Sequence, residues 1–310
     1  MTIKKICFIG YGDHVKNTII PSLSIKKKNI KIVTKKLLSE NFQTFKNIKS
    51  AIDNLDKNYV FFNSTPPKEH FLTSKLILNS GFNLIVEKPI CVSNLQYSIL
   101  KKIADKKGLF LFENMMYFFS KQFLILNKEI ERLDQFKKID IVFSIPNFNH
   151  NSFRKSYEIE NSLLYDVGCY PISLISILGI KSTKLKLNFK KKKGILSDLK
   201  ISTYFKKIKI NIQISFFKKY KNFIKLINID DTSLTLNHFF YGKKIKKENV
   251  IQKKNGMTKK IYIYEKNIFQ DIFKFSKKKL FKLSNSNEKI TKNYLKTLDV
   301  IKKRLNNCSY

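Results

Sequence analysis

The stretch Ile6-Cys7-Phe8-Ile9-Gly10-Tyr11-Gly12-Asp13-His14-Val15 decides the fold. Four apolar residues in a row, closed by glycine, read as a strand buried on both faces, which is the habit of a parallel sheet. An apolar segment around Val15 to Leu23 and a second strand candidate at Ile30 to Val33 follow, so the chain opens on a βαβ unit with a glycine-rich first turn. Gly10 and Gly12 let the backbone turn tightly and approach a pyrophosphate, whose charge then meets the helix start at Asp13 and His14. Val15 stands where a third glycine or alanine is usual, so the fingerprint is incomplete.

The alternation continues outward from that turn. Helical spacing near Ile48 to Leu55 leads to Tyr59-Val60-Phe61-Phe62, an apolar strand that ends in Asn63-Ser64-Thr65-Pro66-Pro67. Two prolines after a strand fix a rigid turn. Glu69 to Leu78 has helical apolar spacing with Gly81 as its stop, and leads into a strand reading over residues 82–90. A helix from Ser93 to Lys107 ends at Gly108, and Leu109 to Phe112 reads as one more strand. Residues 1–120 are therefore expected to form a doubly wound parallel sheet with helices on both faces.

Residues 121–310 read differently. Ile139 to Ile145, Lys184 to Phe189, Ser197 to Phe205, Ile208 to Phe216, Phe223 to Ile229 and Ser233 to Leu236 alternate apolar with polar or basic residues, as half-exposed antiparallel strands do. One face of such a sheet is apolar and the other polar. Asn293 to Asn306 has helical spacing at Leu295, Leu298, Ile301 and Leu305, and the lysine runs at 190–193 and 277–279 read as exposed turns. The expected second domain is α+β with a large open sheet.

Net charge is +38, which would ordinarily suggest nucleic acid or an anionic membrane. The composition argues otherwise. Only Arg132, Arg154 and Arg304 are arginine, alanine occurs only at 51 and 104, and lysine is spread from end to end. That is the signature of AT-rich coding, whereas nucleic-acid binders use arginine for bidentate contacts and concentrate their charge. Cys7, Cys91, Cys169 and Cys308 show no metal or CxxC spacing, which fits free thiols in a reducing cytoplasm. No apolar run is long enough to span a bilayer. Neither a specific nucleic-acid partner, a membrane nor a metal is expected.

Two constellations carry candidate chemistry. In Ile85-Val86-Glu87-Lys88-Pro89-Ile90 a lysine closes an apolar strand, at the edge where open α/β sheets bind ligands. Alone it is one surface lysine among many. In Asn161 to Gly179 the chain reads as a capped helix, with Asp166 and Tyr170 four apart on one face and Pro171 kinking it. Alone that is a partly buried tyrosine with an acidic neighbour.

Taken in order and spacing, Gly10-x-Gly12, Ser64-Thr65-Pro66-Pro67-x-x-His70, Glu87-Lys88-Pro89 and Asp166-x-Gly168-Cys169-Tyr170-Pro171 resemble the Gfo/Idh/MocA family of nicotinamide-dependent oxidoreductases. The resemblance covers nearly the whole chain. It implies a Rossmann domain, a second domain built on a mostly antiparallel sheet, an active site between them, and a homodimer or homotetramer paired through the open sheet. It implies a small sugar-like substrate: a sugar, sugar nucleotide, polyol or diol. By the same resemblance Thr65, Pro66, Pro67, His70, Glu87 and Lys88 surround the nicotinamide, and Asp166 and Tyr170 meet the substrate, as does Arg154, which matches a frequent family position. Many relatives carry histidine at the place of Tyr170. Departures from the pattern are Glu160-Asn161-Ser162 ahead of the Asp166 motif and the absence of an arginine in Met116-Tyr117-Phe118-Phe119-Ser120.

Oxidising or reducing a carbinol needs a group that moves the hydroxyl proton. A free tyrosine, with a pKa of about 10, is a poor base, and a nearby ammonium makes it a better one. Lys88 and Tyr170 are thus expected to work as a pair, with Asp166 orienting the substrate or Lys88. At the second strand end, Val33 is followed by Thr34-Lys35-Lys36 in place of the acid that would accept a ribose hydroxyl, so NADP is favoured over NAD. The competing reading is a cofactor-binding sensor or assembly partner that has lost turnover.

Overall fold

The computed structural model describes residues 2–35, 38, 42–146, 154, 157–180, 184–240, 248–254 and 256–307. Its contacts divide the chain into two compact units, Met1–Met115 with Phe269–Lys292, and Met116–Ile268 with Asn293–Tyr310.

In the first unit β1 (Ile6–Ile9), β2 (Ile30–Val33), β3 (Gln43–Phe45), β4 (Val60–Asn63), β5 (Asn83–Val86) and β6 (Leu111–Glu113) form one parallel sheet in the order β3-β2-β1-β4-β5-β6. The chain winds outward on one side from β1 to β3 and on the other from β4 to β6, so the carboxyl ends of β1 and β4 flank the switch point. All residues of β1 and β4 are buried, as continuous apolar strands covered on both faces must be. The connecting helices are α1 (Ile48–Asn54), α2 (His70–Asn79) and α3 (Asn94–Lys106). Asn47 and Ser93 cap α1 and α3 by accepting the Ser50 and Gln96 N–H groups. The connection after β1 is helical but irregular, a π-turn over Val15–Ile19 followed by a 3-10 turn over Ile20–Ser22. Pro21 there has no N–H with which to continue an α-helical ladder.

One expectation for this unit needs correction, and one strand comes in addition. The strand read over residues 82–90 closes at Val86: Glu87 N–H makes the final bond to Asn63 O (2.9 Å), and the Lys88–Pro89 peptide that follows is cis. The short edge strand β3 was not anticipated, because two of its three residues are exposed and polar and leave no periodic signal.

The second unit starts with α4 (Lys121–Ile130) and β7 (Phe136–Ser144), then α5 (Leu163–Asp166) and α6 (Cys169–Ile177). Its remaining strands are β8 (Lys186–Lys192), β9 (Ile195–Phe205), β10 (Ile208–Ser215), β11 (Lys221–Asn228), β12 (Ser233–Asn237), β13 (Glu248–Lys254) and β14 (Met257–Tyr262). They form an eight-stranded sheet, β14-β13-β12-β11-β7-β10-β9-β8, parallel only between β7 and β10. Alternation sets its two faces: Ile208, Ile210, Ile212 and Ile214 are buried, while Lys209, Asn211 and Gln213 between them are not. On the covered face Ile139, Ile141, Ile224 and Leu226 line one apolar cavity with Leu126 of α4 and Leu174 of α6. β13, β14 and α4 were not read from the sequence.

α7 (Ile268–Phe273) and α8 (Lys277–Asn307) complete the chain. Lys277–Lys279 form the first turn of α8 and not the exposed turn expected; Lys190–Lys192 end β8, and of that run only Lys193, exposed at φ +50°, lies in the turn to β9. Lys190–Lys192 and Lys277–Lys279 lie on solvated faces of regular elements, where lysine is tolerated as well as in a turn. Among the described residues no helix is long and apolar enough to cross a membrane. Cys7, Cys91 and Cys169 are free thiols, and Cys308 lies outside the described residues.

Candidate active site

In the first unit the parallel sheet delivers residues from five of its six strand ends to a common edge: Gly10 after β1, Thr34 after β2, Ser64 after β4, Glu87 after β5 and Asn114 after β6. Gly10 sits at φ +91°, and a Cβ there would lie 3.2 Å from Ser64 O. The dihedral strains any other residue, and the tight contact adds to that strain. Gly10 N–H donates to Val33 O (3.2 Å), and Ser64 Oγ donates to Ile9 O (2.8 Å), so the first turn is tied to both neighbouring strands. Gly12 differs: a Cβ on it would meet nothing within 4 Å, and Gly12, Asp13 and His14 are all exposed. Its openness leaves room for a ligand backbone to approach, which is how a dinucleotide cradle uses glycine.

Beyond β4 the backbone is held by Asn63. Its Oδ1 accepts from Thr65 N–H (3.2 Å) and Thr65 Oγ1 (2.8 Å), and its Nδ2 donates to His70 O and Ser74 Oγ. Pro67 opens a 3-10 turn, Pro67–Glu69, that runs into α2. His70 is buried, with Nε2 2.7 Å from Thr65 O and Nδ1 2.7 Å from Pro89 O. It thus braces the Pro66-Pro67 turn against the segment that carries Lys88. Burial pushes the ring's pKa below its ordinary value, against the pull of the two carbonyls and Glu87. A neutral ring donates to only one of those carbonyls.

Glu87 is largely buried, its Oε1 2.7 Å from Asn114 Nδ2 and 3.6 Å from His14 Nε2. Burial opposes its charge, but His14, Asn114 and Lys88 together hold its pKa below the usual carboxylate range. Lys88 is half-buried. After β2, Thr34 N–H donates to Phe45 O (3.0 Å), Lys35 is exposed, and Lys36 lies outside the described residues.

In the second unit the segment from Asn161 to Gly179 is not one kinked helix. Ser162 caps α5, Gly179 at φ +72° ends the run, and a break falls at Val167–Gly168 between α5 and α6. At Gly168 a Cβ would come within 2.4 Å of Leu164 O, so the close approach demands glycine. Pro171 stands in the first turn of α6, where its missing N–H costs little. Asp166 and Tyr170 therefore belong to successive helical pieces. Asp166 is buried and receives Arg154 at 2.5 Å from Nε and 3.4 Å from Nη2. The Asp166 carboxylate holds the guanidinium firmly charged, and Tyr170 adds to that effect. Phe153 lies outside the described residues.

Tyr170 is buried among rings: Phe240 at 5.5 Å, Phe143 at 5.6 Å and Tyr117 at 6.1 Å between centroids. Tyr117 OH meets Ser173 Oγ at 2.6 Å, and Ser173 Oγ donates to Tyr170 O at 2.7 Å. The sequence reading missed Asn114, Tyr117, Phe143 and Phe240. Asn114 could have been found as the residue closing the last strand of the unit, the position Ser64 and Glu87 hold after theirs. The rings carried no signal in a chain with 27 phenylalanines. Among the described residues no group of three His, Cys, Asp or Glu side chains could hold a metal.

No protein-family model and no curated protein sequence matches this chain. Solved structures do. One is KijD10, a 3-ketoreductase from Actinomadura kijaniata, in complex with NADP and TDP-benzene: TM-score 0.79, 14% identity, 96% of each chain covered. A second is the yvaA protein of Bacillus subtilis, named as an oxidoreductase: TM-score 0.70, 13% identity, covering 99% of this chain and 98% of that one. At such identities the likeness establishes the architecture, a Rossmann-type parallel sheet followed by a large, mostly antiparallel one.

Proposed function

We propose that the protein is an NAD(P)-dependent oxidoreductase of the Gfo/Idh/MocA type, acting on a carbinol or ketone of a sugar-like substrate. The observation that carries this reading is the row of strand ends in the first unit: a glycine turn that tolerates no side chain at Gly10, an open Gly12, and Glu87-Lys88 beyond β5. Gly10, Gly12, Asp13 and His14 would hold the pyrophosphate, and Thr65 to Pro67, Glu87 and Lys88 the nicotinamide end, with His70 bracing the loops. A nicotinamide cofactor bound there supplies or accepts the hydride. KijD10 was crystallised with NADP and TDP-benzene, which favours a sugar nucleotide as the substrate class here.

The chain's own residues handle the proton and the substrate. In the reducing direction a ketone carbon gains hydride and its oxygen gains a proton, which Tyr170 donates. A nearby cation favours the phenolate left when that proton departs, and Lys88 is assigned that role together with binding the reacting oxygen. Asp166, fixed by Arg154, orients the substrate, and Arg154 adds positive charge to its surroundings. The homodimer or homotetramer belongs to the same reading. Its proposed surface is the uncovered sheet face bearing Lys200, Asn211, Gln213, Phe223 and Lys225, which lines an open trough. Light scattering would give the subunit number.

Thr34 and Lys35 meet a 2′-phosphate better than a bare ribose, so NADP is the preferred cofactor. The test is to mix the protein and NADPH with a panel of keto-sugar nucleotides and follow loss of the reduced nicotinamide. Substrate-dependent oxidation of NADPH, faster than of NADH, is expected. Binding of NADPH without turnover across the panel would favour a sensor, and failure to bind would remove the reading.

A further inference from the structure

We infer that Asn114 reads the carboxamide of the nicotinamide ring, paired with Glu87 as a double acceptor for its amino group. The inference deepens the dinucleotide reading above and rests on it. β6 ends at Glu113, so Asn114 stands on the same sheet edge as Gly10 and Glu87, each the first residue beyond its strand. Its N–H donates to Val86 O (2.8 Å), which fixes its backbone beside β5. Its Nδ2 donates to Glu87 Oε1 (2.7 Å). A carboxylate only accepts, so this contact settles which way the amide is turned: the NH2 faces Glu87 and the carbonyl oxygen faces elsewhere. That oxygen is buried, in a residue 1% exposed, and has no hydrogen-bond partner among the described residues.

A buried acceptor left unpaired is costly, and a ligand that brings a donor recovers the loss. What stands here is a carboxylate and an amide oxygen held together by their own hydrogen bond. Two acceptors side by side match a nitrogen carrying two hydrogens better than a hydroxyl, which has one. In a dinucleotide such a nitrogen occurs on the adenine and on the nicotinamide carboxamide. The sheet order separates them. The ribose-phosphate edge after β2 lies on one side of β1, whereas β5 and β6 lie on the other, two and three strands from β1. At about 4.8 Å per strand, Glu87 and Asn114 belong to the nicotinamide end.

The test compares NADP with its acetylpyridine analogue, in which a methyl ketone replaces the carboxamide and both N–H donors are gone. The unaltered protein is expected to bind NADP about tenfold more tightly than the analogue, and Asn114→Ala, which leaves Glu87 as the remaining acceptor, to lose most of that preference. Equal affinity of the unaltered protein for both dinucleotides would overturn the inference without needing a variant, and full discrimination by Asn114→Ala would overturn it too. In either case the dinucleotide reading stands, because both ligands bind. Failure of the unaltered protein to bind either would overturn that reading and this inference with it.

Discussion

The strand-end edge of the first unit and the Asp166–Tyr170 segment of the second hold their functional groups by opposite means. On the edge, position is set by main-chain geometry and buried polar bonds: Gly10 against Ser64, Asn63 bonded to Thr65 and His70, Asn114 to Glu87. In the Asp166–Tyr170 segment the ion pair with Arg154 holds Asp166, and aromatic rings surround Tyr170. A buried carboxylate stays ionised where donors converge on it, as at Glu87. Tyr170 is held instead by packed rings, so its position depends on apolar contact. The two sites should therefore fail differently.

The largest contrast is expected between two glycines. Gly168→Ala drives a Cβ into the Leu164 carbonyl and should cost about 3 kcal/mol or more, seen as a marked drop in thermal midpoint. Gly12→Ala meets nothing and should leave the midpoint in place while weakening dinucleotide binding, measured by titration. Equal effects on stability would erase the distinction between a glycine kept for packing and one kept for a ligand. Next, Tyr170→Phe should lower turnover about a hundredfold or more with cofactor affinity nearly unchanged, and near-normal turnover would move the proton role to Lys88.

Asp166→Asn removes the partner of a guanidinium that is one-third exposed, so a loss of about 1–2 kcal/mol is expected after allowing for solvent screening. The smallest effect concerns acid. Glu87 has its pKa lowered on folding, so it contributes stability above its ordinary value of 4.5, and that contribution fades as pH falls below it. Glu87→Gln should flatten the decline of the melting temperature below that pH; an unchanged decline would assign acid sensitivity to other groups.

Much of this was legible in the chain. Ile6-Cys7-Phe8-Ile9 and Val60-Phe61-Phe62 announce themselves because a strand covered on both faces can be apolar throughout, and Gly10 because no side chain fits its turn. β10 was equally plain, its isoleucines alternating with Lys209, Asn211 and Gln213. β3 and β14 were not, since strands with mostly exposed side chains select no pattern. The break at Gly168 was hidden for another reason. Pro171 is the louder signal, but a proline in a first turn is harmless, and the true constraint is a through-space contact with Leu164. The Arg154–Asp166 pair and the ring cluster depend on which side chains meet, and no local spacing reports that.

The central claim is that the strand-end edge binds a nicotinamide dinucleotide, and a calorimetric titration of the full chain with NADPH and NADH tests it most directly. The account predicts saturable binding of one NADPH per chain, tighter than NADH, and loss of it in Gly10→Val, where φ +91° and the Ser64 contact exclude a side chain. Absence of binding by the unaltered protein, or binding that Gly10→Val leaves intact, would contradict it.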